Sequence, residues 1–304
     1  MKCSYHPGYQ VPLPSGHPFP ISKYPLLKDR LLTEGVLAAH DLVEPNPVGR
    51  ETLALVHTPE YLDKLESSGL SAAEQRKLGM PWSEQLWQRS RLACGGTLLA
   101  ARSALETGLA ANLAGGTHHA FADHGEGFCV LNDVAVAITT LRLEALIDRA
   151  LVIDLDVHQG NGTAAIFAGV DQVFTFSMHG ERNYPAEKMR SDVDVGLKDG
   201  TDDAEYLRLL NEHVPAVLDR ADADMAFYLA GVDVAGGDRY GKLALSEEGI
   251  RLRDRYVIES VRSRGIPLVI VLGGGYAVTR ERTAQLHAHV FREAVAYERK
   301  GCIL

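Results

Sequence analysis

Two aspartates and a histidine end an apolar run in the sequence ALVIDLDVH, residues 150–158. Asp154, Asp156 and His158 alternate with apolar residues, so on a strand all three would project to one face. Two carboxylates that lie close together repel each other and raise a pKa unless a cation neutralises them. The plainer alternative is a helix N-cap followed by a surface acid. We predict a cation site at the end of this strand.

Asp233, in the sequence FYLAGVDVAGGD, could supply a third ligand to that cation. Alone, it would be an ordinary turn residue in a glycine-rich loop. With Asp156 and His158 it completes a set of two carboxylates and one imidazole, which leaves positions open for water or substrate, as a catalytic metal requires. Zn²⁺ is the first expectation for this set of ligands, which would also accept Fe²⁺ or Co²⁺.

Four further polar side chains follow apolar runs in the same way. His118 and His119 stand in LAGGTHHAF, between two glycines and an aromatic residue. Paired loop histidines are often only solvated, but an imidazole beside an activated water can carry its proton near neutral pH. Tyr276 follows three glycines in VLGGGYA, where it is either a core aromatic or a hydroxyl presented to a ligand; no G-x-G-x-x-G motif is present. The spacing of His179, in FTFSMHG, leaves it open as a further ligand.

Strands and helices alternate in the elements that must position these residues. Six of the 13 prolines fall in the first 25 residues, which predicts an extended, irregular start. The apolar patterns predict a parallel sheet covered on both faces, whose loops at the carboxyl ends of the strands would hold the candidate residues. The predicted strands are 52–56, 110–114, 150–155, 170–176, 225–231 and 266–272. The predicted helices are 93–107, 132–146, 203–219 (capped by Thr201 or Asp202), 246–264 and 279–298.

Composition places the chain in a broad class. Its 304 residues are 46% hydrophobic and 23% charged, which favours one extended α/β domain. A net charge of −9 argues against a nucleic-acid-binding surface and weakly favours a cationic partner. The sequence has no signal-peptide pattern and no run of 18 apolar residues, so we expect no membrane association. Four cysteines without paired spacing (Cys3, Cys94, Cys129 and Cys302) suit a reducing compartment, which predicts a cytoplasmic protein.

Several motifs together resemble one known family. They occur in the order GGTHHAF, GEGFCVLNDVAVA, DLDVHQGNGTA, AGVDV, GDRYGKL and VLGGGYA, after an opening YHPGYQ, HPF and KY. This arrangement is similar to the histone deacetylase and acetylpolyamine amidohydrolase family of metal-dependent deacylases, and most like its class IV and bacterial members. The resemblance implies an arginase-like, three-layer α/β fold with a central, mainly parallel eight-stranded sheet, in a single catalytic domain over residues 1–304.

The resemblance also implies roles for the candidate residues. His119 would be the general base that deprotonates the attacking water and the acid that protonates the leaving amine. His118 would be its electrostatic partner, held by Asp154, and Tyr276 would donate a hydrogen bond to the substrate carbonyl. The ligands of the catalytic metal would be Asp156, His158 and Asp233.

A substrate tunnel and a structural K⁺ site are implied as well. Tyr184 stands where the family often has phenylalanine, and His179 is not a metal ligand in the family pattern. The tunnel would be lined by Gly127, Phe128, Tyr184 and Gly274. The K⁺ ligands would come from the side chains of Asp154 and Ser177 and the backbone carbonyls of Asp156, His158 and Met178.

Asn161 departs from the pattern of those classes that have an aspartate oriented toward the second histidine. A neutral amide would hold His119 without adding negative charge, so we expect a lower imidazole pKa than a carboxylate would give.

The expected chemistry is hydrolysis of a linear amide, with the metal polarising the carbonyl group and the tyrosine steadying the oxyanion. The leading hypothesis is removal of acetyl or other acyl groups from the Nε of lysine in proteins. The alternative is a small-molecule amidohydrolase acting on acetylated polyamines, which an obstructed tunnel mouth and a dimer would favour. A catalytically silent binding protein is the third hypothesis, against which the full set of histidines, ligands and tyrosine argues. The sequence leaves open whether the protein is a monomer or a homo-oligomer.

Overall fold

One sheet of eight strands forms the centre of the computed structural model, which describes residues 1–301, so Cys302 lies outside the described residues. Every pairing between neighbouring strands is parallel. The strands are β1 (Lys2–Ser4), β2 (Leu42–Val43), β3 (Leu109–Asn112), β4 (Ala150–Asp154), β5 (Val173–Gly180), β6 (Val193–Leu197), β7 (Met225–Leu229) and β8 (Leu268–Val271). Their order is β2-β1-β3-β8-β7-β4-β5-β6, which confirms the predicted eight-stranded parallel sheet.

Ten α-helices connect or flank these strands in the described part of the chain. Several begin at a side-chain cap: Ser83 accepts a hydrogen bond from the N–H of Leu86, and Asp202 accepts one from the N–H of Glu205. The helices are α1 (Lys23–Thr33), α2 (Arg50–Leu53), α3 (Pro59–Glu66), α4 (Ala72–Leu78), α5 (Glu84–Thr107), α6 (Asp133–Leu143), α7 (Asn161–Ile166), α8 (Asp203–Ala221), α9 (Glu247–Arg262) and α10 (Arg280–Gly301). None of the helices within residues 1–301 is both long enough and apolar enough to cross a membrane.

Two hydrophobic cores lie on opposite faces of the sheet, because successive strand residues point to opposite sides. In β4, Leu151 and Ile153 belong to one core, and Ala150 and Val152 belong to the other. The first core is closed by α1, α8, α9, α10 and the first half of α5, and the second mainly by the second half of α5 and by α6. This arrangement of helix, sheet and helix layers leaves the carboxyl ends of the strands free to carry loops.

The structure corrects two of the predicted elements. The predicted strand 52–56 is wrong: α2 covers Arg50–Leu53 and turns follow it, since a short apolar run cannot distinguish a strand from a helix. The helix predicted at 93–107 begins at Glu84 instead. Gly95 lies inside that helix because the chain passes close by: a Cβ there would be 2.0 Å from the carbonyl oxygen of Asn46.

The other predicted elements overlap observed strands and helices, whereas β1, β2 and β6 were not predicted. The proline-rich start is irregular between a short 3₁₀ helix and α1, but it also contains β1.

Candidate active site

The candidate residues converge at the carboxyl ends of four neighbouring strands. His118 and His119 follow β3, Asp156 and His158 follow β4, Asp233 follows β7, and Tyr276 follows β8. These strands are neighbours in the order β3-β8-β7-β4. The topology therefore brings together side chains that are up to 158 residues apart in the chain, from His118 to Tyr276.

Asp156, His158 and Asp233 form a buried group that could hold a metal ion, with ligand atoms all within 4.8 Å of one another. His158 Nδ1 is 3.0 Å from Asp156 Oδ1 and 3.2 Å from Asp233 Oδ2. Ligands 2.0–2.1 Å from one tetrahedral ion would be about 3.3 Å apart. Asp233 Oδ2 is buried without a hydrogen-bond partner among the described residues, so it is free to bind a cation. The residues present fit a metal ion.

Backbone amides hold the two carboxylates in place. The N–H groups of His158 and Gly274 donate to the two oxygens of Asp156, at 2.9 Å and 2.5 Å. The N–H of Val157 donates to Asp233 Oδ1 at 2.9 Å, which leaves Oδ2 facing His158. A Cβ at Gly274 would lie 1.9 Å from Asp233 Oδ2, so glycine is the residue that permits this approach.

The pKa values of this group reflect its negative charge. Burial alone would lower the pKa of His158, but the carboxylates of Asp156 and Asp233 outweigh it and raise the pKa to about 10. Burial, together with the charge of Asp156, raises the pKa of Asp233 to about 6. Two buried acids around one imidazole are thus stabilised by a positive charge, which either a proton or a metal ion can supply.

The adjacent imidazoles of His118 and His119 have opposite proton affinities. His118 Nδ1 donates to Asp154 Oδ2 at 2.6 Å; burial opposes its protonation, but Asp154 and Asp156 raise the pKa to about 9. His119 Nδ1 donates to Asn161 Oδ1 at 2.7 Å, and its pKa is held well below the ordinary value by burial and then by the positive charges of His118 and His158. His118 is therefore a cation and His119 a neutral imidazole at pH 7.

An open cavity of about 280 Å³ leads to His119 and His158. Phe128 and Tyr184 line it, and the Tyr184 ring meets His119 edge-on at a centroid distance of 4.9 Å. Gly274 borders a smaller cavity behind His119, rather than this outer one. The outer lining also includes residues that the sequence reasoning missed, namely Lys77, Leu78, Gly79 and Tyr240.

Tyr276 borders both cavities and is buried. Burial, with the nearby charges of Asp233 and Asp156, raises the pKa of its hydroxyl well above the ordinary value, so the group stays protonated. The N–H of Tyr276 donates to Asp238 Oδ2 at 2.7 Å, which fixes the backbone after the glycine turn.

Asp154 and Ser177, two of the residues implied for K⁺, are register partners on β4 and β5. Met178 follows Ser177 on the same strand, and Asp156 N–H donates to Asp154 Oδ1 at 3.1 Å. His179 lies apart from the metal-type group, with Nδ1 2.9 Å from Ser177 Oγ.

Two charged residues that the sequence reasoning left without a role are buried at the site. Lys23 Nζ donates to the carbonyl oxygen of Gly273 at 2.8 Å, and burial lowers its pKa to about 8 despite the pull of Asp233 and Asp156. Glu126 Oε1 accepts a hydrogen bond from Asn161 Nδ2 at 2.6 Å. Both stand inside motifs quoted above, KY and GEGFC, but no spacing rule pointed to their partners.

Comparison with known proteins decides the family. A model of the histone deacetylase domain matches residues 17–294. The chain belongs to the histone deacetylase family. It is 34% identical to histone deacetylase 2 of Arabidopsis thaliana over 283 residues. The aligned region covers 88% of this chain and 71% of the Arabidopsis protein. It is 46% identical over 290 residues to an uncharacterized protein of Picosynechococcus, and the aligned region covers 95% of this chain and 97% of that protein.

Solved structures agree on the fold. The crystal structure of a histone deacetylase homologue in complex with SAHA matches with a TM-score of 0.82 and 27% identity, over 97% of this chain and 84% of that one. These findings confirm the arginase-like deacetylase fold. They identify the protein as a deacetylase or amidohydrolase of a metal-dependent family.

Proposed function

We propose that this protein removes acyl groups, acetyl first, from the Nε of lysine in proteins. The observation that carries the proposal is that a buried metal-type group, a neutral imidazole and a protonated tyrosine meet at one cavity, which His158, His119 and Tyr276 line. Each of these groups has a distinct part in amide hydrolysis.

Asp156, His158 and Asp233 would hold the catalytic metal, which we propose to be Zn²⁺, with Fe²⁺ the other metal that these ligands suit. When bound, this metal would polarise the scissile carbonyl and lower the pKa of the attacking water. Because the three residues carry two negative charges, they favour a divalent ion over a proton on His158.

His119 is the proposed general base and, later, the general acid. Its Nδ1 is occupied by Asn161, so Nε2 is the atom that accepts the proton of the attacking water. The neighbouring cation, His118, keeps His119 from holding that proton tightly, so His119 returns it to the amine as the C–N bond breaks. Asp154 supports this arrangement by holding the charge on His118.

Tyr276 is the proposed oxyanion donor. Its hydroxyl stays protonated and borders the cavity where the carbonyl oxygen would lie. A hydrogen bond to that oxygen strengthens as negative charge develops on it, so the contact acts on the transition state.

The cavity lining favours an acyl-lysine over an acylated polyamine. Outside the metal-type group, the described lining offers aromatic rings and one cation, Lys77, and no carboxylate. An acylated lysine arm is uncharged and can pack its methylene groups against Phe128, Tyr184 and Tyr240. A polyamine keeps ammonium groups, and the described lining offers no free carboxylate to bind them, since the nearby Glu126 is already paired with Lys77 at 3.0 Å.

Three further properties belong to the same proposal. A structural K⁺ would bind at Asp154, Ser177, Met178 and the carbonyls of Asp156 and His158. Residues 1–304 would form one catalytic domain. The protein would work in the cytoplasm, where the buried thiols of Cys3, Cys94 and Cys129 stay reduced.

A substrate panel tests the proposal. Acetyl-lysine peptides, long-chain acyl-lysine peptides and acetylated polyamines are assayed on one preparation whose metal content is measured, with Asp233→Asn as the matched control. We expect the acetyl-lysine peptides to give the highest kcat/KM. Preference for the polyamines would establish the small-molecule amidohydrolase instead, and no hydrolysis of any amide would refute both.

A further inference from the structure

Glu126 is a buried carboxylate, with 5% of its surface exposed, that joins the proposed base to the wall of the substrate cavity. Its Oε1 accepts two hydrogen bonds, from Asn161 Nδ2 at 2.6 Å and from the Tyr184 hydroxyl at 2.8 Å. Its Oε2 is 3.0 Å from Lys77 Nζ. Burial opposes ionisation, but these three donors outweigh it and lower the pKa of Glu126, so the group stays a carboxylate.

In the series of hydrogen bonds from Glu126 through Asn161 to His119, each donor and each acceptor is fixed. An ionised carboxylate has no proton to donate, so the side of Asn161 that faces Glu126 must be the NH₂ group. The amide oxygen of Asn161 must then face His119 Nδ1, which has to carry the proton. The Nε2 atom of His119 is left as the free base.

An asparagine by itself does not impose this order. Its two ends have nearly the same shape, so a flipped amide would present NH₂ to His119 and stabilise the opposite tautomer. An aspartate at this position would need no such control, since both of its oxygens only accept. The neutral amide at Asn161 therefore requires a partner that sets its direction, and Glu126 is in place to do so.

The backbone around Glu126 connects this control to the cavity. Gly127 and Phe128 both have positive φ, +57° and +68°, in the turn that places the Phe128 ring in the lining. A Cβ at Gly127 would lie 2.5 Å from His119 Cδ2, so the turn packs directly against the base. The same turn positions the cavity wall and the Glu126 carboxylate.

We propose that Glu126 is a positioning residue, which orients the Asn161 amide and thereby fixes His119 in the tautomer with a free Nε2. The inference rests on the proposed function, because it assigns His119 as the base. Through the same oxygen, Glu126 also holds the Tyr184 ring against the cavity. It does not contact the reacting atoms itself.

Two substitutions of Glu126 separate this role from simple packing. Glu126→Leu removes every acceptor. Glu126→Gln keeps the shape of the side chain but replaces the acceptor-only carboxylate by an amide, whose oxygen Lys77 attracts and whose NH₂ group can then face Asn161. We expect Glu126→Leu to lower kcat about 10- to 100-fold, the loss that follows when a residue that orients a metal ligand is removed. Glu126→Gln should lower kcat as well, because an amide does not set the direction of the Asn161 side chain. Tyr184→Phe removes only the hydrogen bond from the Tyr184 hydroxyl to Glu126, and it should change KM more than kcat.

The His119 tautomer is a second readout that does not depend on turnover. In protein with ¹⁵N-labelled histidine, the His119 signals are assigned by their absence from His119→Ala. We expect one Nδ1-protonated tautomer in the wild type, and a mixture in both Glu126→Gln and Glu126→Leu. Melting temperatures show whether each variant is folded.

The outcomes are distinct. If folded Glu126→Leu keeps both the wild-type kcat and the single tautomer, the inference is overturned. If folded Glu126→Gln keeps the wild-type kcat and the single tautomer, an acceptor-only carboxylate is not what sets the direction of Asn161, and the orienting role is also overturned. If the wild type hydrolyses no acylated amine, the proposed function fails, while the tautomer comparison still decides the role of Glu126.

Discussion

Replacing Tyr276 by phenylalanine removes one oxygen atom from the candidate site and leaves the ring. In the part of the chain that the structure describes, no group is hydrogen-bonded to this hydroxyl, so its loss leaves no buried partner unsatisfied. The ring packs edge-on against Tyr240 at a centroid distance of 4.9 Å and lies 6.0 Å from Phe128. Phenylalanine preserves these contacts, so we expect an unchanged melting temperature.

The effect on catalysis should be large in comparison. Loss of one donor to a developing oxyanion costs on the order of 10²–10³ in rate, or roughly 2.7–4 kcal/mol. Because the contact strengthens in the transition state, kcat should fall far more than KM rises. Steady-state kinetics on acetyl-lysine peptide, metal analysis and thermal melting of one preparation measure all three quantities. A kcat within about twofold of the wild type, at full metal content, would refute the oxyanion role.

Three other changes test separate parts of the account. Asp233→Asn should lose metal and activity together, because an amide does not supply the charge of a carboxylate; a full equivalent of metal in elemental analysis contradicts this ligand set. His119→Ala should keep its metal but lose about 10²–10⁴ in kcat, and His118→Ala should lose less; equal, mild losses would leave the pair with a positioning role only. Burial lowers the pKa of His57 to about 4 in the folded protein, whereas the unfolded chain binds the same proton near pH 6.5. The free energy of unfolding should therefore fall as pH drops from 6.5 toward 4. His57 would contribute up to roughly 3 kcal/mol of that fall; urea denaturation should show a shallower pH slope for His57→Gln, and an unchanged slope speaks against this assignment.

The sequence predicted the strand ends better than it predicted the edges of the sheet. The central strands carry long apolar runs, and a polar side chain right after such a run marks the carboxyl end where Asp156 and Asp233 lie. By contrast, β1 and β2 have three and two residues, which is too short for any periodicity to show. β1 pairs with β3, which follows it by more than 100 residues, and β2 pairs with β1.

Some contacts between polar residues of the site could likewise be predicted from the sequence, and others could not. Asp154 and His118 come from motifs whose types suggest a contact, and the structure places them 2.6 Å apart. Glu126 belongs to a loop and Lys77 to the last turn of α4, and nothing in either local sequence indicates that they meet. Such contacts depend on how the loops at the end of the sheet fold over one another, which residue spacing does not encode.

The central claim is that Asp156, His158 and Asp233 hold one metal ion on which hydrolysis of acetyl-lysine depends. The most direct measurement removes metal from the protein with a chelator and titrates Zn²⁺ back while acetate release from an acetyl-lysine peptide is followed. We predict no release from the stripped protein and a linear return of activity that saturates at one equivalent of Zn²⁺ per chain. Full activity without metal, or no acetate at any Zn²⁺ or Fe²⁺ concentration, would contradict the claim.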